Sequence, residues 1–357
     1  NTNVLLSSAK ATQEAVISST ATDATLYGNI AKTNNLTISA EKVEIVNSGT
    51  TNILEVHGDL LIDNSGALDM NVGGTTNAHI KLYGNWTNNV GNIAFDEGQG
   101  TVTFTGTTPQ IISNVTPEGT ETFGNLILNN NFDTSVSNNI IAKGNLTINT
   151  GKTLTITADD YAEVTNSVFN NGTFNILNDG SLIQVNDAAA PNTGSINYER
   201  KATVKLYDYV YWSSPTINFN MSGINSHSRY YWDAQDPNAN GSQGDWLPAS
   251  GNMENGRGYI FRVPNSYATT SSPDNLTANF TGVPFNGIKN MEVKRGDLAS
   301  ATDSDWNLIG NPYPSAIDVV STTGFLDYNT NLEGFVYVWT HGNSPFDAAY
   351  SNPFYQN

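Results

Sequence analysis

The 357-residue chain contains no cysteine, so neither a disulfide nor a thiol site can take part in its chemistry. Charged residues make up only 13% of the chain, and the formal net charge is −18. The first arginine in the sequence is Arg200. Because nucleic acids and anionic membrane surfaces are bound through basic patches, this charge argues against both as partners. No apolar run approaches the roughly 20 residues of a membrane-spanning helix, so direct membrane insertion is not expected.

The chain is rich instead in short segments where apolar and polar residues alternate. The clearest examples are centred on the pairs Leu146 and Ile148, Leu154 and Ile156, and Phe174 and Ile176. Successive strand side chains point to opposite faces, so these segments predict short strands with one buried face. Asn, Asp and Gly lie between the segments, and these residues tolerate the positive φ that tight corners need.

A Gly-Asn or Gly-Asp step followed by an apolar residue recurs through the first half of the chain. The steps begin at Gly28, Gly58, Gly84, Gly124 and Gly144. This recurrence predicts a parallel β-helix over residues 25–190, in which each coil takes about 25 residues and rises ~4.8 Å, giving about seven coils. An antiparallel sandwich or meander would show the same alternation and is the alternative architecture.

The remaining chain is predicted from its composition. Residues 1–24 are expected to form an N-terminal cap or linker, with a weak helical segment over 7–19. Pro109 and Pro117 predict a loop between Phe104 and Phe123, because proline is poorly tolerated inside a sheet. A change of composition near residues 187–191 indicates a domain boundary.

From Gly194 the chain becomes aromatic, and its short strands predict an antiparallel β-sandwich or jelly roll over residues 194–357. We expect Tyr207, Tyr209 and Tyr211 to share one face of a strand. We also expect Trp212, Trp306 and Trp339 to lie in the core. The fold class predicted for the whole chain is therefore all-β.

Three motifs in the second half carry a resemblance to a known group of proteins. They are Tyr211-Trp-Ser-Ser-Pro215, Gly256-Arg-Gly-Tyr-Ile260 and Trp306-Asn-Leu-Ile-Gly-Asn-Pro-Tyr-Pro-Ser-Ala-Ile317. Residues 140–350 resemble a module of large surface proteins from gliding Flavobacterium-type bacteria. The resemblance implies export by the type IX secretion system and attachment at the outer surface of a Gram-negative cell. It also implies adhesion or gliding motility as the function, and a parent chain that continues into a sorting domain.

One loop has the composition of a calcium site. Oxygen-bearing side chains at Asp236, Asn238 and Asn240, followed by Gly241, match the first half of a calcium-binding loop. Asp233 and Asp245 would add carboxylates. The expected Glu at the last position of such a loop is absent, and a solvated hairpin loop is the alternative interpretation. Ca²⁺ is the one cofactor for which the sequence offers ligands.

The aromatic residues Tyr230, Tyr231, Trp232 and Trp246 are candidates for stacking on sugars. Three consecutive aromatic residues on a strand cannot all point inward, so at least one is exposed or covered by a loop. The alternative is that these side chains fill the core of the sandwich. Surface glycans are therefore candidate partners, together with the type IX secretion and outer-membrane attachment machinery.

Two further functions stay open at this point. A β-helix can carry a polysaccharide lyase or hydrolase, and a hydrolase needs two carboxylates that face each other across a cleft. Asp59, Asp63 and Asp69 are too near one another in sequence to predict that geometry, although they do not exclude it. The repeat region has no arginine, whereas lyases need basic groups to neutralise uronates. The other possibility is a subunit of a secretion or motility assembly. We expect a non-enzymatic surface protein.

Overall fold

The computed structural model describes residues 2–3, 15–17, 24–26, 30–45, 52–74, 78–115, 120–133, 139–237, 243–266, 273–296, 306–332 and 336–337. The chain divides into two compact units, residues 1–197 and 198–357. Nearly all regular structure in the described residues is β-strand, as the sequence predicts.

The first unit is built from short strands, most of three to five residues. They are β1 (Thr2–Asn3), β2 (Ala15–Ile17), β3 (Ala24–Leu26), β4 (Ile30–Thr33), β5 (Leu36–Ile38), β6 (Lys42–Ile45), β7 (Asn52–Val56), β8 (Leu60–Ile62), β9 (Ala67–Asp69), β10 (Ala78–Leu82), β11 (Trp86–Asn88), β12 (Phe95–Asp96), β13 (Thr101–Phe104), β14 (Ile112–Asn114), β15 (Glu121–Phe123), β16 (Asn125–Leu128), β17 (Phe132–Asp133), β18 (Ile140–Ala142), β19 (Leu146–Ile148), β20 (Thr153–Ile156), β21 (Tyr161–Val164), β22 (Val168–Asn170), β23 (Thr173–Ile176) and β24 (Ser181–Gln184). Single 3-10 turns lie at Val72–Gly74 and Asn92–Ala94.

These strands pair in parallel and form the three walls of a β-solenoid. Wall 1 is one seven-stranded sheet in the order β22-β19-β16-β13-β10-β7-β4, so the solenoid has about seven coils. Wall 2 consists of β2, β5, β8, β11 and β14, followed in chain order by β17, β20 and β23. Wall 3 consists of β1, β3, β6, β9 and β12, followed by β15, β18, β21 and β24. The predicted parallel β-helix is confirmed.

The core consists of side chains that stack from coil to coil on the inner face of each wall. In wall 1, Leu54 pairs in register with Ile80, Ile80 with Val102, Val102 with Leu126, and Leu126 with Leu146. All five are at most 1% exposed. Burying one such side chain stabilises a fold by roughly 1.5–3 kcal/mol. One coil alone would leave its inner row without neighbours, so the coils depend on stacking for stability.

Asparagine and aspartate side chains connect successive coils at the corners. Asn35 Oδ1 accepts a hydrogen bond from the Asp59 backbone N–H at 2.9 Å, and Asp59 Oδ1 accepts one from the Asn85 N–H at 2.7 Å. Asn125 Oδ1 accepts one from the Asn145 N–H at 3.0 Å at another corner. Each bond satisfies a backbone N–H at a corner, beyond the ends of the named strands. The recurring Asn and Asp of the Gly-Asn steps therefore join coils together.

Walls 2 and 3 change sheets part of the way along the solenoid. We call this region the seam, and it comprises residues 105–115 and 120–124. Wall 3 passes from the sheet that ends with β12 to the sheet that begins with β15, and wall 2 passes from β14 to β17. Wall 1 crosses the seam without a break, because β13 pairs with β16 over four residues.

Aromatic side chains fill the interior near the seam. The ring centroids of Trp86 and Phe95 lie 4.7 Å apart, those of Trp86 and Phe123 5.4 Å apart, and those of Phe104 and Phe132 5.0 Å apart. Edge-to-face pairs of this kind are each worth about 0.5–1.5 kcal/mol beyond the area they bury. Large rings therefore fill the space where the regular columns of aliphatic side chains are interrupted.

The seam also encloses a carboxyl group. Glu121 is 1% exposed, and its Oε2 accepts hydrogen bonds from Trp86 Nε1 at 2.8 Å and from Asn88 Nδ2 at 3.0 Å. Burial raises the pKa of the Glu121 carboxyl, and the hydrogen bonds from Trp86 and Asn88 offset part of that rise. This carboxyl is enclosed by the solenoid interior.

Two sequence expectations for the first unit are wrong. Ala15–Ile17, within the expected helix over residues 7–19, is the strand β2, while residues 7–14 and 18–19 lie outside the described residues. Parallel pairing with β5 overrides the weak helical propensity of that segment. The expected loop between Phe104 and Phe123 contains the strand β14, which pairs with β11 in wall 2.

The second unit is a two-layer arrangement of strands. They are β25 (Ile196–Val204), which begins in the first unit, β26 (Tyr209–Trp212), β27 (Ser228–Pro237), β28 (Gln243–Pro248), β29 (Tyr259–Arg262) and β30 (Asp274–Gly282). A 3-10 turn lies at Met221–Gly223, and one short helix, α1, at Phe325–Tyr328. The strands β26-β29-β27-β28 form an antiparallel sheet, and β30 neighbours β25.

The two layers pack through a small apolar core. Val204, Val210, Val263 and Leu276 form a buried cluster, with Trp212 packed against it. The expected antiparallel sandwich is confirmed. The expectation that Tyr207 shares a strand face with Tyr209 and Tyr211 is wrong, because Tyr207 lies in a turn before β26, with a φ of 76°. None of the helices in the described residues has the length and hydrophobicity to span a lipid bilayer.

Candidate functional site

The antiparallel sheet of the second unit carries aromatic residues on the face that points away from the core. Cross-strand pairing places Trp232 directly opposite Trp246, and their ring centroids lie 5.3 Å apart. Tyr211 packs edge-on against Trp246 at 6.3 Å. Gly244 allows this packing, since a Cβ at that position would lie 2.6 Å from the Trp232 ring. Trp232 is therefore held rigidly at the border of the sheet.

An open groove of about 440 Å³ lies beside this border. One wall comes from Tyr231, Trp232 and Asp233 of β27. The second wall is the segment 248–259, and the third is formed by residues 291–294 and 307–309. The groove thus combines aromatic rings with charged and amide side chains, a mixture typical of polar ligand sites.

Local backbone pairing shapes the third wall. The Gly258 N–H donates to Leu308 O at 3.1 Å, and the Gly310 N–H donates to Gly256 O at 2.9 Å, so residues 308–310 lie alongside residues 256–258. A Cβ on Gly258 would lie 2.5 Å from Leu308 Cγ, so glycine is needed for this close approach.

The same wall is held by hydrogen bonds to Asn307 and Ser213. Asn307 Nδ2 donates to Lys294 O at 2.8 Å, and Asn307 Oδ1 accepts from the Lys294 N–H at 2.9 Å. Ser213 Oγ donates to Asn311 O at 2.6 Å. Two of the motifs that carry the sequence resemblance, around Gly256 and Trp306, line this groove, and the Tyr211 motif contacts the Trp306 motif through Ser213 without lining the groove.

Glu254 in the groove is paired with two basic side chains, one in the groove lining and one outside it. Arg257 Nε lies 3.0 Å from Glu254 Oε2, and Lys289 Nζ lies 3.6 Å from Glu254 Oε1. The guanidinium of Arg257 also lies 5.3 Å from the centre of the Tyr231 ring, within cation–π distance. Arg257 therefore fixes both the carboxylate and the aromatic ring.

Tyr259 forms part of the groove lining although it is 5% exposed. Its hydroxyl oxygen accepts a hydrogen bond from the Glu254 backbone N–H at 2.9 Å. Burial raises the pKa of the Tyr259 hydroxyl, so the group keeps its proton at neutral pH. The hydroxyl can therefore act as a hydrogen-bond donor.

The four aromatic candidates separate into two groups. Tyr231 and Trp232 line the groove, whereas Tyr230 and Trp246 do not. Tyr230 lies on the face that carries Trp232, and Tyr231 lies on the opposite face, as the alternation of the strand requires. The donor of the Trp232 indole is already used, because Nε1 donates to Trp306 O at 2.8 Å. Ligand contact by the four residues stays a prediction.

Two of the three tryptophans expected in the core can be located. Trp212 packs against the buried cluster. The expectation for Trp306 is wrong, since it is 39% exposed and contacts Tyr337 with a centroid distance of 4.8 Å. Trp339 lies outside the described residues.

The calcium-type loop is described in part. Asp233 and Asp245 lie directly opposite each other on β27 and β28, and Asp236 follows on β27. Asn238 and Asn240 lie outside the described residues. Asp233 Oδ1 accepts from the Gln235 N–H at 3.0 Å, and Asp245 Oδ1 accepts from the Trp246 N–H at 2.7 Å. The described residues contain no group of three or more His, Cys, Asp or Glu suited to a metal ion, and the calcium site stays a prediction.

The carboxylates considered for an enzyme in the repeat region take part in the solenoid framework. Asp59 belongs to the corner ladder between walls 1 and 2, and Asp69 in wall 3 pairs with Lys42 Nζ at 3.1 Å. Asp63 Oδ1 lies 3.5 Å from Asn89 Nδ2. Each of these carboxylates thus contributes a contact between neighbouring coils.

Sequence reasoning missed several residues that line the groove, among them Glu254, Arg257, Tyr259 and Asn307. A signal was present, because Arg257 and Tyr259 lie in the Gly256-to-Ile260 motif and Asn307 lies in the Trp306-to-Ile317 motif. No spacing rule connects two segments about 50 residues apart, so only the fold reveals that they meet.

A family model described as a domain of unknown function, DUF8693, matches residues 112–357. The match begins at the first residue of β14, within the seam, and includes the later coils together with the whole second unit. No curated protein matches the chain, and no solved structure does.

Proposed function

The chain belongs to the DUF8693 family, and we propose that it is a non-enzymatic bacterial cell-surface protein that binds glycans through the groove of its second unit. In this proposal, the chain is a cargo of the type IX secretion system and serves in adhesion or gliding motility. The solenoid acts as a structural stalk. The groove provides the contact with the adhered surface.

The observation that carries the proposal is the combination of groups in the groove. Tyr231 and Trp232 are aromatic, and Arg257, Asn307 and Tyr259 are hydrogen-bonding groups close to them. Sugars present apolar C–H faces and polar hydroxyl edges, so a site that binds them needs both kinds of group. The groove is also open, so a polymer can extend beyond it into solvent.

The location on the cell surface is supported by the sequence resemblance and by composition. An acidic, cysteine-free, all-β chain rich in Asn and Thr is typical of proteins exported by bacteria. Two of the resemblance motifs, around Gly256 and Trp306, line the groove, which links that sequence pattern to the candidate site.

A glycan array probed with the full 357-residue chain tests the binding function, together with a calcium titration and a chelator control. We expect binding to at least one class of polysaccharide, and we expect Trp232→Ala to reduce it. Failure to bind any glycan would contradict the proposal. Release of reducing sugars from a bound polysaccharide would show an enzyme instead.

Surface labelling tests the location. An epitope-tagged chain, expressed with its natural leader and sorting segments in a gliding Flavobacterium-type bacterium, is expected to be accessible to external protease. The signal should disappear in a strain that lacks type IX secretion. An unchanged signal in that strain would contradict the proposed export route.

A further inference from the structure

The chemistry of the groove indicates which class of glycan it accepts, and this inference rests on the proposed function. Glu254 is already neutralised from two sides, by Arg257 at 3.0 Å and by Lys289 at 3.6 Å. The other charged side chains of the groove are Asp233, Glu292 and Lys294, which are of mixed sign. The groove therefore lacks the surplus of positive charge that a polyanion would need.

The charge of the whole chain acts in the same direction. A net charge of −18 repels uronate and sulfate polymers as they approach, and this repulsion opposes their binding at low salt. A cationic polymer would be attracted by this overall negative charge, and the attraction would disappear as the salt concentration increases. A neutral polymer gains nothing from the charge and must be bound by hydrogen bonds and apolar contact.

The groove offers hydrogen-bond donors that suit hydroxyl groups. Arg257 uses its Nε–H for Glu254, and among the described residues its remaining guanidinium N–H groups have no protein acceptor. Tyr259 is 95% buried, and its hydroxyl accepts from the Glu254 N–H while its own hydrogen has no acceptor among the described residues. Both donors belong to residues that contact Glu254, and two donors beside one carboxylate suit the neighbouring hydroxyls of a sugar ring.

The aromatic surface lies next to these donors. Tyr231 lines the groove, and Arg257 packs against its ring at 5.3 Å from the centroid. The ring is therefore held in place before a ligand arrives, which lowers the entropic cost of binding.

We propose that this groove binds a neutral polysaccharide, with a sugar ring packed against Tyr231 and a pair of its hydroxyls hydrogen-bonded to Arg257 and Tyr259. Such binding depends on apolar contact and on neutral hydrogen bonds. Salt screens it weakly.

The test measures binding of the full chain to three sets of polymers by calorimetry and affinity electrophoresis. The neutral set is laminarin, mannan and dextran, the anionic set is alginate and pectate, and the cationic probe is chitosan. Binding is measured between about 0.01 M and about 1 M NaCl, over which the Debye length falls from roughly 30 Å to about 3 Å. We expect binding to a neutral polymer, with a dissociation constant that changes less than about twofold over this range.

Variants locate the binding in the groove. Tyr231→Ala is expected to weaken binding at least about tenfold, because aromatic anchors dominate the energy of such contacts. Arg257→Lys keeps the positive charge beside Glu254 but removes the planar donor pair, and a loss of similar size is expected. The matched controls are Tyr328→Ala, at a tyrosine that is 76% exposed on α1, and Arg262→Lys, at an arginine on β29 that does not line the groove. Both controls are expected to bind like the unmodified chain.

The outcomes separate this inference from the proposed function. Tight binding of alginate or chitosan, abolished by salt and without binding of a neutral polymer, would overturn the inference and leave the glycan-binding function intact. Binding of a neutral polymer that neither groove variant weakens would also overturn it, because the site would lie elsewhere. Absence of binding to all three sets would contradict the proposed function itself.

Discussion

Replacement of Glu121 tests whether the buried carboxyl at the seam is held by the hydrogen bonds that the structure gives it. In Glu121→Ala, the N–H groups of Trp86 Nε1 and Asn88 Nδ2 lose their acceptor inside the solenoid. An unsatisfied buried donor costs about 1–3 kcal/mol, so two of them cost about 2–6 kcal/mol. Glu121→Gln keeps one acceptor oxygen of nearly the same size, and we expect a much smaller change.

The pH dependence of stability gives a second test at the same residue. Burial raises the pKa of the Glu121 carboxyl in the folded chain above its ordinary value of about 4.3. The folded state therefore holds the proton more tightly than the unfolded state. The Glu121 carboxyl therefore adds its full contribution to stability below the pKa of the unfolded chain, and that contribution is lost as the pH rises through the pKa of the folded chain. The slope in that window is at most about 1.4 kcal/mol per pH unit. Glu121→Gln has no titratable carboxyl at this position and should remove this slope.

Hydrogen–deuterium exchange of peptides that cover β11 and β15 is the suitable measurement. Long repeat proteins depart from two-state unfolding, so a local opening free energy is more informative than a global midpoint. Peptides from the second unit serve as an internal control. The reasoning is refuted if Glu121→Ala opens these strands no more readily than Glu121→Gln. It is also refuted if the local stability of the unmodified chain increases with pH through the window.

Three further predictions concern packing and surface charge. Gly84→Ala would place a Cβ 2.3 Å from Gly58 O, and overpacking of this kind typically costs about 1–3 kcal/mol, which exchange in β10 and β11 would report. Gly258→Ala should lower the free energy of unfolding, because the new Cβ would clash with Leu308 in the groove wall. Adding Leu308→Ala should restore part of that free energy, because it removes the obstructing side chain. If the two effects simply add in denaturant unfolding, there is no direct clash. Lys42→Met removes two partly exposed ion pairs, with Glu44 at 2.7 Å and with Asp69 at 3.1 Å. Stability should fall by at most about 2 kcal/mol, or about 1 kcal/mol for each pair, so a larger loss in denaturant unfolding would contradict this expectation.

The sequence was sufficient for the local structure of the solenoid. The pairs Leu146 and Ile148, and Leu154 and Ile156, alternate with polar residues and occupy the interior with 0% exposure. This prediction succeeds because the pattern of a strand with one buried face is encoded within three or four residues. The periodicity along the chain is encoded less directly, because the number of residues at the corners varies from coil to coil.

The Gly-Asn steps show where the local signal becomes ambiguous. Gly58-Asp59 and Gly84-Asn85 precede strands of wall 2, whereas Gly124-Asn125 and Gly144-Asn145 precede strands of wall 1. The same kind of dipeptide serves both corners because each corner uses a side-chain oxygen that accepts a hydrogen bond from the backbone of the next coil. Gly28-Asn29 lies outside the described residues but directly precedes β4 of wall 1 in the sequence, so the step changes corner more than once along the solenoid.

The candidate site was predictable only in part. Tyr231 and Trp232 stood out as aromatic neighbours on a strand, but their partners Arg257 and Tyr259 come from a different motif. The neighbours of Trp306 resemble a strand and predict a core position, yet its 39% exposure is set by contacts with segments distant in sequence. Such contacts depend on the fold of the whole unit, and no local pattern contains them.

The seam gives the solenoid an uneven resistance to tension along its axis. Hydrogen-bonded strands cross it in wall 1, from β13 to β16, whereas the strands described in walls 2 and 3 form separate sheets on either side. Elsewhere a pulling force would be shared by three ladders, but here it falls on one ladder and on side-chain links such as Asn130 Nδ2 to Gln110 Oε1 at 2.9 Å. Under tension along its axis, the solenoid is therefore expected to yield first at the seam, and the coils on both sides would stay wound as it extends.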